Sequence, residues 1–350
     1  MSTHGRIATL IGFLTLFLVS SGLAGTGEIR DRKCPVCEES LSVTVLFSSN
    51  NAGGADPDLM RRAGGAFPLI VEPILCSKCH FATWSVSSLD EPVPEKLKTA
   101  LLAQESPFVV PEFVPIVPSG PLRGPYTEGL DSKQTSPAWV RYDLLAQQLS
   151  FTGESAWLRY QAAHNAAWAV RLRENPLQEF LFDMTREQFN EALKGIDIKK
   201  ERDNPAADQI DAARKILKND ALTKDQAVVA GFLLRTHGEL TDLEEAWPRI
   251  VKAIGEEHLT SKVQKSIALE RVYLGKALAC VEELLLDPPE QVQPGVLHYL
   301  KGEFHRRLNQ PAEAREAYAK ALEGELPDWL KDWAKGQPEL LSVVKPGPPE

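Results

Sequence analysis

The chain lacks the marks of the common catalytic architectures. It contains no GxSxG nucleophile elbow, no GxxxxGK[ST] phosphate loop, no GxGxxG dinucleotide fingerprint and no HExxH metal helix, so none of those chemistries has a starting point in the sequence. A basic tract is also missing. With 39 Lys and Arg against 48 Asp and Glu, the formal net charge is −9, and an acidic chain of this kind argues against nucleic acid or an anionic membrane surface as a partner. Past the first 25 residues no run is apolar enough to span a bilayer. Cysteine is scarce, at 5 in 350 residues.

Four of those five are placed in two pairs, Cys34-Pro35-Val36-Cys37 and Cys76-Ser77-Lys78-Cys79. Two thiolates separated by two residues reach one metal ion from a single tight turn, and two such turns complete a tetrahedral S4 shell. The expected metal ligands are therefore Cys34, Cys37, Cys76 and Cys79, around structural Zn2+. The 38 residues between the pairs exceed the usual ribbon spacing of about 15–20. Disulfides are the competing reading, and four cysteines allow three pairings that sequence does not decide. Redox use of a CxxC is a third, although the βαβ pattern around a thioredoxin-type motif is missing.

Compartment bears on that choice. Residues 1–25 carry His4 and Arg6, a mostly apolar stretch over 7–19, and small residues from Ser20 to Gly25, which together read as a secretory signal peptide. An uncleaved N-terminal anchor is the alternative. The expected location is secreted or periplasmic, where paired cysteines also meet oxidants.

Along the chain, the alternating β-branched run 41–47 reads as a strand leaving the first pair, residues 48–58 as a loop, and 67–75 as a strand delivering Cys76, with 81–84 continuing beyond. So small a β module needs a metal or disulfide staple. From 91 to 137 prolines recur, with one helix over 95–104, and Phe108, Val109, Val110, Phe113, Val114, Ile116 and Val117 make 106–137 a linker or, preferably, a strap lying on another surface. Thereafter apolar periodicity predicts helices over 139–149, 154–173, 186–194, 206–217, 224–235, 240–254, 261–286, 296–308 and 312–322, joined by short loops that make neighbours antiparallel.

Internal repetition points further. Gly302, Ala314, Tyr318, Ala321 and Leu322 fall near tetratricopeptide spacing: the glycine admits a close helix approach, Ala314 receives it, and Tyr318 and Ala321 fill the hole towards the next repeat. Gly231 to Gly238, followed by Leu243 and Trp247, is a weaker echo, and the helices over 139–173 form a third pair. Arrays of this type commonly offer a concave surface to a protein segment.

The cysteine pairs and the Ala166-Ala167-Trp168 segment together resemble the bacterial family called domain of unknown function 2225. That family opens with Cys-Pro-x-Cys, returns to Cys-x-x-Cys-Gly-Tyr-Ala, and continues into tetratricopeptide-like helices. Here His80 stands for the family glycine and Phe81 for the tyrosine. The resemblance implies a metal-knuckle plus helical-repeat architecture and brings no known reaction.

Other candidates are weaker. His80 adjoins Cys79 and is awkwardly placed as a ligand. His298 and His305 share a helix face but lie two turns apart, too far for the usual i, i+4 chelate. Cys280 reads as a buried thiol, and Trp84, Trp139, Trp157, Trp168 and Trp247 as core. The expected fold is mainly α, a tetratricopeptide-like helical-repeat domain with a small N-terminal zinc-ribbon-like β module. Its parts are a signal peptide over 1–25, a paired-CxxC module over 26–90, a proline-rich linker or strap over 91–137, the helical domain over 138–335 and a disordered tail over 336–350. The expected function is an exported, non-enzymatic scaffold that binds a protein partner through its helical surface. An exported thiol–disulfide oxidoreductase is the alternative.

Overall fold

The computed structural model describes residues 27–46, 56–59, 73–115, 136–194 and 205–341. The residues read as a signal peptide, the first part of the strand expected over 67–75, most of the expected strap and the last residues of the expected tail lie outside them. Among the described residues the fold is mainly α: twelve α-helices follow a small β part at the N-terminus. No described helix is long and apolar enough to cross a membrane. The chain forms two compact units, one of residues 1–54 and 61–173 and the other of residues 55–60 and 174–350.

In the first unit, β1 (Gly27–Lys33) pairs antiparallel with β2 (Ser40–Leu46), in a register from Gly27↔Leu46 to Lys33↔Ser40. β2 is the strand expected from its alternation, with Leu41 and Val43 buried. β1 has a polar composition without strand-like alternation. Its Gly, Asp and Lys are poor strand formers, so the strand owes its existence to the ladder β2 offers it, reinforced by Ser42 Oγ donating to Asp31 Oδ1 at 3.0 Å. β3 (Ile74–Leu75) and β4 (Ala82–Thr83) form a second, shorter antiparallel hairpin.

Three helices accompany these hairpins: α1 (Glu95–Leu102), α2 (Ala138–Thr152) and α3 (Ala156–Arg173). α2 and α3 were grouped with the helical domain by sequence but belong to the unit that carries the cysteines. They are joined at Gly153, whose φ of 80° closes α2 in the left-handed region. Ala162, Ala163, Ala166, Ala167 and Ala169 are all fully buried, and such small side chains let α3 approach its neighbours closely. Trp139 and Trp168 are core residues as expected, whereas Trp84 and Trp157 are half-buried. The described part of the proline-rich segment runs along α2. Gln147 accepts from Val109 N at 2.9 Å and donates to Val109 O at 2.8 Å, and Phe108 is buried edge-on against Phe151.

The second unit contains α4 (Gln178–Asp183), α5 (Arg186–Ala192), α6 (Pro205–Ile216), α7 (Lys224–His237), α8 (Leu240–Ile254), α9 (Leu259–Leu286), α10 (Pro294–Arg307), α11 (Pro311–Glu323) and α12 (Asp328–Gly336). Capping boxes at Thr185/Gln188 and Thr223/Gln226 start α5 and α7. α4 and α12 were not anticipated. Ordered structure continues past 336: Gln337–Glu339 form a 3-10 turn and Leu340 and Leu341 are buried, so apolar burial holds the start of the expected tail.

The repeat pairs are helical hairpins, α7 with α8 and α10 with α11. At Gly302 an added Cβ would lie 2.5 Å from the Tyr318 ring. Tyr318, Ala314 and Ala321 enter one cluster with Tyr299, Leu326, Leu330, Ala334 and Leu341, and Leu59 packs against it. Gly231, the echo position, is equally crowded, with Leu177 Cδ1 2.6 Å from where a Cβ would be. Asn309 takes φ 60° at the turn between α10 and α11, a conformation asparagine tolerates better than most residues.

Between the hairpins lies a buried ionic network that sequence reading did not find. Glu270 of α9 accepts from Arg307 Nη2 at 2.7 Å through Oε1 and from Arg235 Nη1 through Oε2. Arg235 also donates to Ser266 Oγ at 2.7 Å. Arg307 donates to the carbonyls of Arg235 and Gly238, and Arg306 to that of His237 at 3.1 Å. Two guanidinium groups thus close the C-terminal end of α7, where carbonyls lack partners and the helix dipole favours cations. Glu303 holds Arg306 at 2.9 Å and accepts from the Tyr318 hydroxyl at 2.7 Å. Burial, with Glu303 beside it, pushes the Tyr318 hydroxyl well above the ordinary tyrosine range, which keeps it a donor.

Denaturation experiments read three expected outcomes. Gly302→Ala is expected to destabilise by about 1–3 kcal/mol through overpacking against Tyr318, while Gly275→Ala, which meets nothing within 4 Å, is expected to stabilise by up to about 1 kcal/mol. Glu270→Ala strands two buried guanidinium groups and is expected to cost about 3–5 kcal/mol, read as a lowered urea midpoint.

Candidate metal centre

Each hairpin of the first unit ends in a cysteine knuckle. The loop between β1 and β2 is Cys34 to Glu39, and the loop between β3 and β4 is Cys76 to Phe81. Their backbones repeat one pattern. Cys34 N donates to Glu39 O at 2.8 Å and Glu38 N to Cys34 O at 3.0 Å. In the second knuckle Cys76 N donates to Phe81 O at 2.9 Å and His80 N to Cys76 O at 2.9 Å. The residue after each second cysteine is left-handed, Glu38 at φ 57° and His80 at φ 61°. This explains the glycine His80 replaces: the position asks for a conformation that costs a residue with a Cβ about 1–2 kcal/mol. His80 is thus a turn residue.

The two loops bring Cys34, Cys37, Cys76 and Cys79 together, all four sulfurs lying within 4.8 Å of one another. Cys34 and Cys79 Sγ are 3.6 Å apart, and Cys37 and Cys76 Sγ 3.5 Å. None of the four is in a disulfide, and Cys37 is half-buried where the other three are buried. A tetrahedron with metal–sulfur bonds of about 2.3 Å has edges of about 3.8 Å, so the cluster has the size a metal ion needs. Four protein ligands fill such a shell and leave no open position for water or substrate.

The thiols also have an electrostatic reason to take a cation. The contact with Cys76 pushes the Cys34 thiol up to about 11. Hydrogen bonds from Cys34 and Cys79 hold Cys76 well below the thiol range. Those to Cys34 and Cys76, followed by burial, raise Cys79 well above it. Crowded sulfurs compete for one negative charge, and a dication at their centre would allow all of them to ionise.

One α2 side chain fixes the second knuckle. Gln148, 2 % exposed, donates from Nε2 to His80 O at 2.7 Å and accepts from Ala82 N at 3.0 Å. It satisfies one carbonyl and one amide of the hairpin as a neighbouring strand would. Sequence reading passed it over, because a glutamine within an apolar helix acquires meaning only from what it faces. Across the knuckles, Lys78 and Glu39 form an exposed pair at 3.6 Å, worth about 0–1 kcal/mol.

The remaining candidates are not assembled. Among the described residues the four cysteines are the one group that could hold a metal ion. His305 binds Gln310 through Nδ1 at 2.7 Å, and burial pushes the His298 imidazole below its ordinary range, with Lys320 and Lys301 adding to the effect. Cys280, expected to be buried on α9, is half-buried. His80→Gly relieves the left-handed cost of about 1–2 kcal/mol that His80 already bears and is expected to strengthen metal retention, whereas β-branched His80→Val is expected to weaken it. Competition with a chromophoric chelator reads both.

No curated protein and no solved structure matches the chain. The family model described as "Uncharacterized protein conserved in bacteria (DUF2225)" matches residues 29–340, spanning both cysteine pairs and both units. On that match, and with the paired knuckles assembled as the family pattern implies, the chain belongs to this family.

Proposed function

We propose that the protein is an exported, non-enzymatic scaffold in which structural zinc staples the cysteine module and the helical unit binds a protein partner. The observation that carries the zinc assignment is the clustering of four sulfurs within 4.8 Å on two knuckles of the same backbone design. A tetrahedral S4 donor set suits zinc, which has no redox chemistry and no geometric demand that this shell fails to meet. When bound, the ion would supply cohesion to two small hairpins that are marginal as isolated two-stranded units. Cys34 and Cys79, with Cys37 and Cys76, would hold it, while Gln148 keeps the second knuckle oriented.

Export rests on the leader-like residues 1–25, and the partner role on helical hairpins, a scaffold that elsewhere presents surfaces to proteins. The absence of an open ligand position in a four-cysteine shell weighs against metal-assisted catalysis. The oxidoreductase alternative is weakened by the short sulfur contacts, which join the two knuckles. A thiol-exchange enzyme needs one CxxC that opens and closes as a unit.

Elemental analysis of the purified protein is expected to give one zinc per chain, with the cluster's thiols becoming titratable only after chelation. Iron in place of zinc, or a metal-free protein with one exchangeable CxxC disulfide, would overturn the assignment. Replacing Cys34 and Cys76 with serine is expected to unfold the hairpins and loosen α2 at Gln148, while most helical circular dichroism persists in α4–α12. Recovery of the mature chain from the envelope fraction, beginning near residue 26, tests export.

A further inference from the structure

Two sulfur–sulfur contacts cross from one knuckle to the other. Cys34 meets Cys79 at 3.6 Å and Cys37 meets Cys76 at 3.5 Å. The first cysteine of each loop therefore faces the last cysteine of the other, so the two loops play equivalent parts in the contacts. A disulfide has an S–S length of about 2.05 Å, so each crossing pair must close by about 1.5 Å. Crossing links also preserve what a metal would provide. Two-stranded hairpins are marginal alone in water, and a disulfide inside either Cys-x-x-Cys would leave the hairpins untied from each other.

We propose that the cluster is a two-form staple: when an oxidant removes the metal, Cys34 bonds to Cys79 and Cys37 to Cys76. The proposal rests on the metal-site reading above, and its oxidant is a peroxide. Cys37 is the half-buried member of the set and meets the oxidant first. Its thiolate attacks one peroxide oxygen, the O–O bond breaks, hydroxide leaves and a sulfenic acid forms. The Cys76 thiolate then attacks that sulfur, the S–S bond forms, the S–O bond breaks and a second hydroxide leaves. Each peroxide accepts two electrons from one sulfur pair. The second pair repeats the sequence with a second peroxide, and the dication, left without thiolates, is released.

The test uses the full-length, zinc-loaded protein titrated with hydrogen peroxide, with released zinc followed by a chromophoric indicator and disulfides mapped in unreduced digests. Trypsin cuts after Lys78, between Cys76 and Cys79. Crossing links therefore join both resulting peptides to the one that carries Cys34 and Cys37, and fragmentation between those two cysteines identifies the partner of each. Zinc release in step with the Cys34–Cys79 and Cys37–Cys76 links supports the proposal. Links within the knuckles, a Cys34–Cys76 link, or oxidation that stops at sulfinic acid overturns it. If the purified chain carries no metal, the zinc reading fails, and mapping the metal-free protein still decides the connectivity.

Discussion

Four sulfurs crowded within 4.8 Å constitute a constraint that neither hairpin satisfies alone. Uncompensated, they share too little room for the charge they tend to develop. Bridged, they hold together two β-hairpins that would be marginal as isolated two-stranded units. The local structure is bent to this end: each loop spends a left-handed residue, Glu38 or His80, to aim two thiols at one point. Gln148 then stands in for a missing neighbour strand beside the second loop. Chemistry at the sulfurs and shape of the hairpins are thus one problem.

The helical unit solves a different problem by different means. Its hairpins approach closely because Gly302 and Gly231 leave room for Tyr318 and for Leu177 and Ile250. Around α7, α9 and α10 the interior is ionic. Arg235, Glu270 and Arg307 are 1 % exposed or less, and such an arrangement specifies one packing of helices more than it adds stability, since a well-packed apolar substitute of similar volume is often as stable. The arginines earn their place by binding the last carbonyls of α7, which couples one helix's end to another helix's face.

Legibility in the sequence followed the range of the interactions. Paired cysteines two residues apart, alternation in β2 and glycine spacing near Gly302 are local patterns, and each led to the corresponding element. β1 was missed because its composition is polar and its pairing partner supplies the structure. The short α4 and α12 carry too few turns for periodicity to register. Gln148 and the Arg235–Glu270–Arg307 network were invisible for a related reason: their partners lie 35 to 68 residues away, and a buried charge looks like a solvated one until its neighbour is known.

Residues 55–60 fall between the two cysteine pairs in sequence yet belong to the helical unit, with Asp56 and Asp58 buried and Leu59 packed on the cluster around Tyr299 and Tyr318. During synthesis this segment emerges early, whereas the helices that receive it are completed only near Leu341. Contacts of such sequence separation form late and slowly. The helical unit therefore cannot be finished as an independent C-terminal piece, and a fragment beginning after residue 173 would lack part of its own interior.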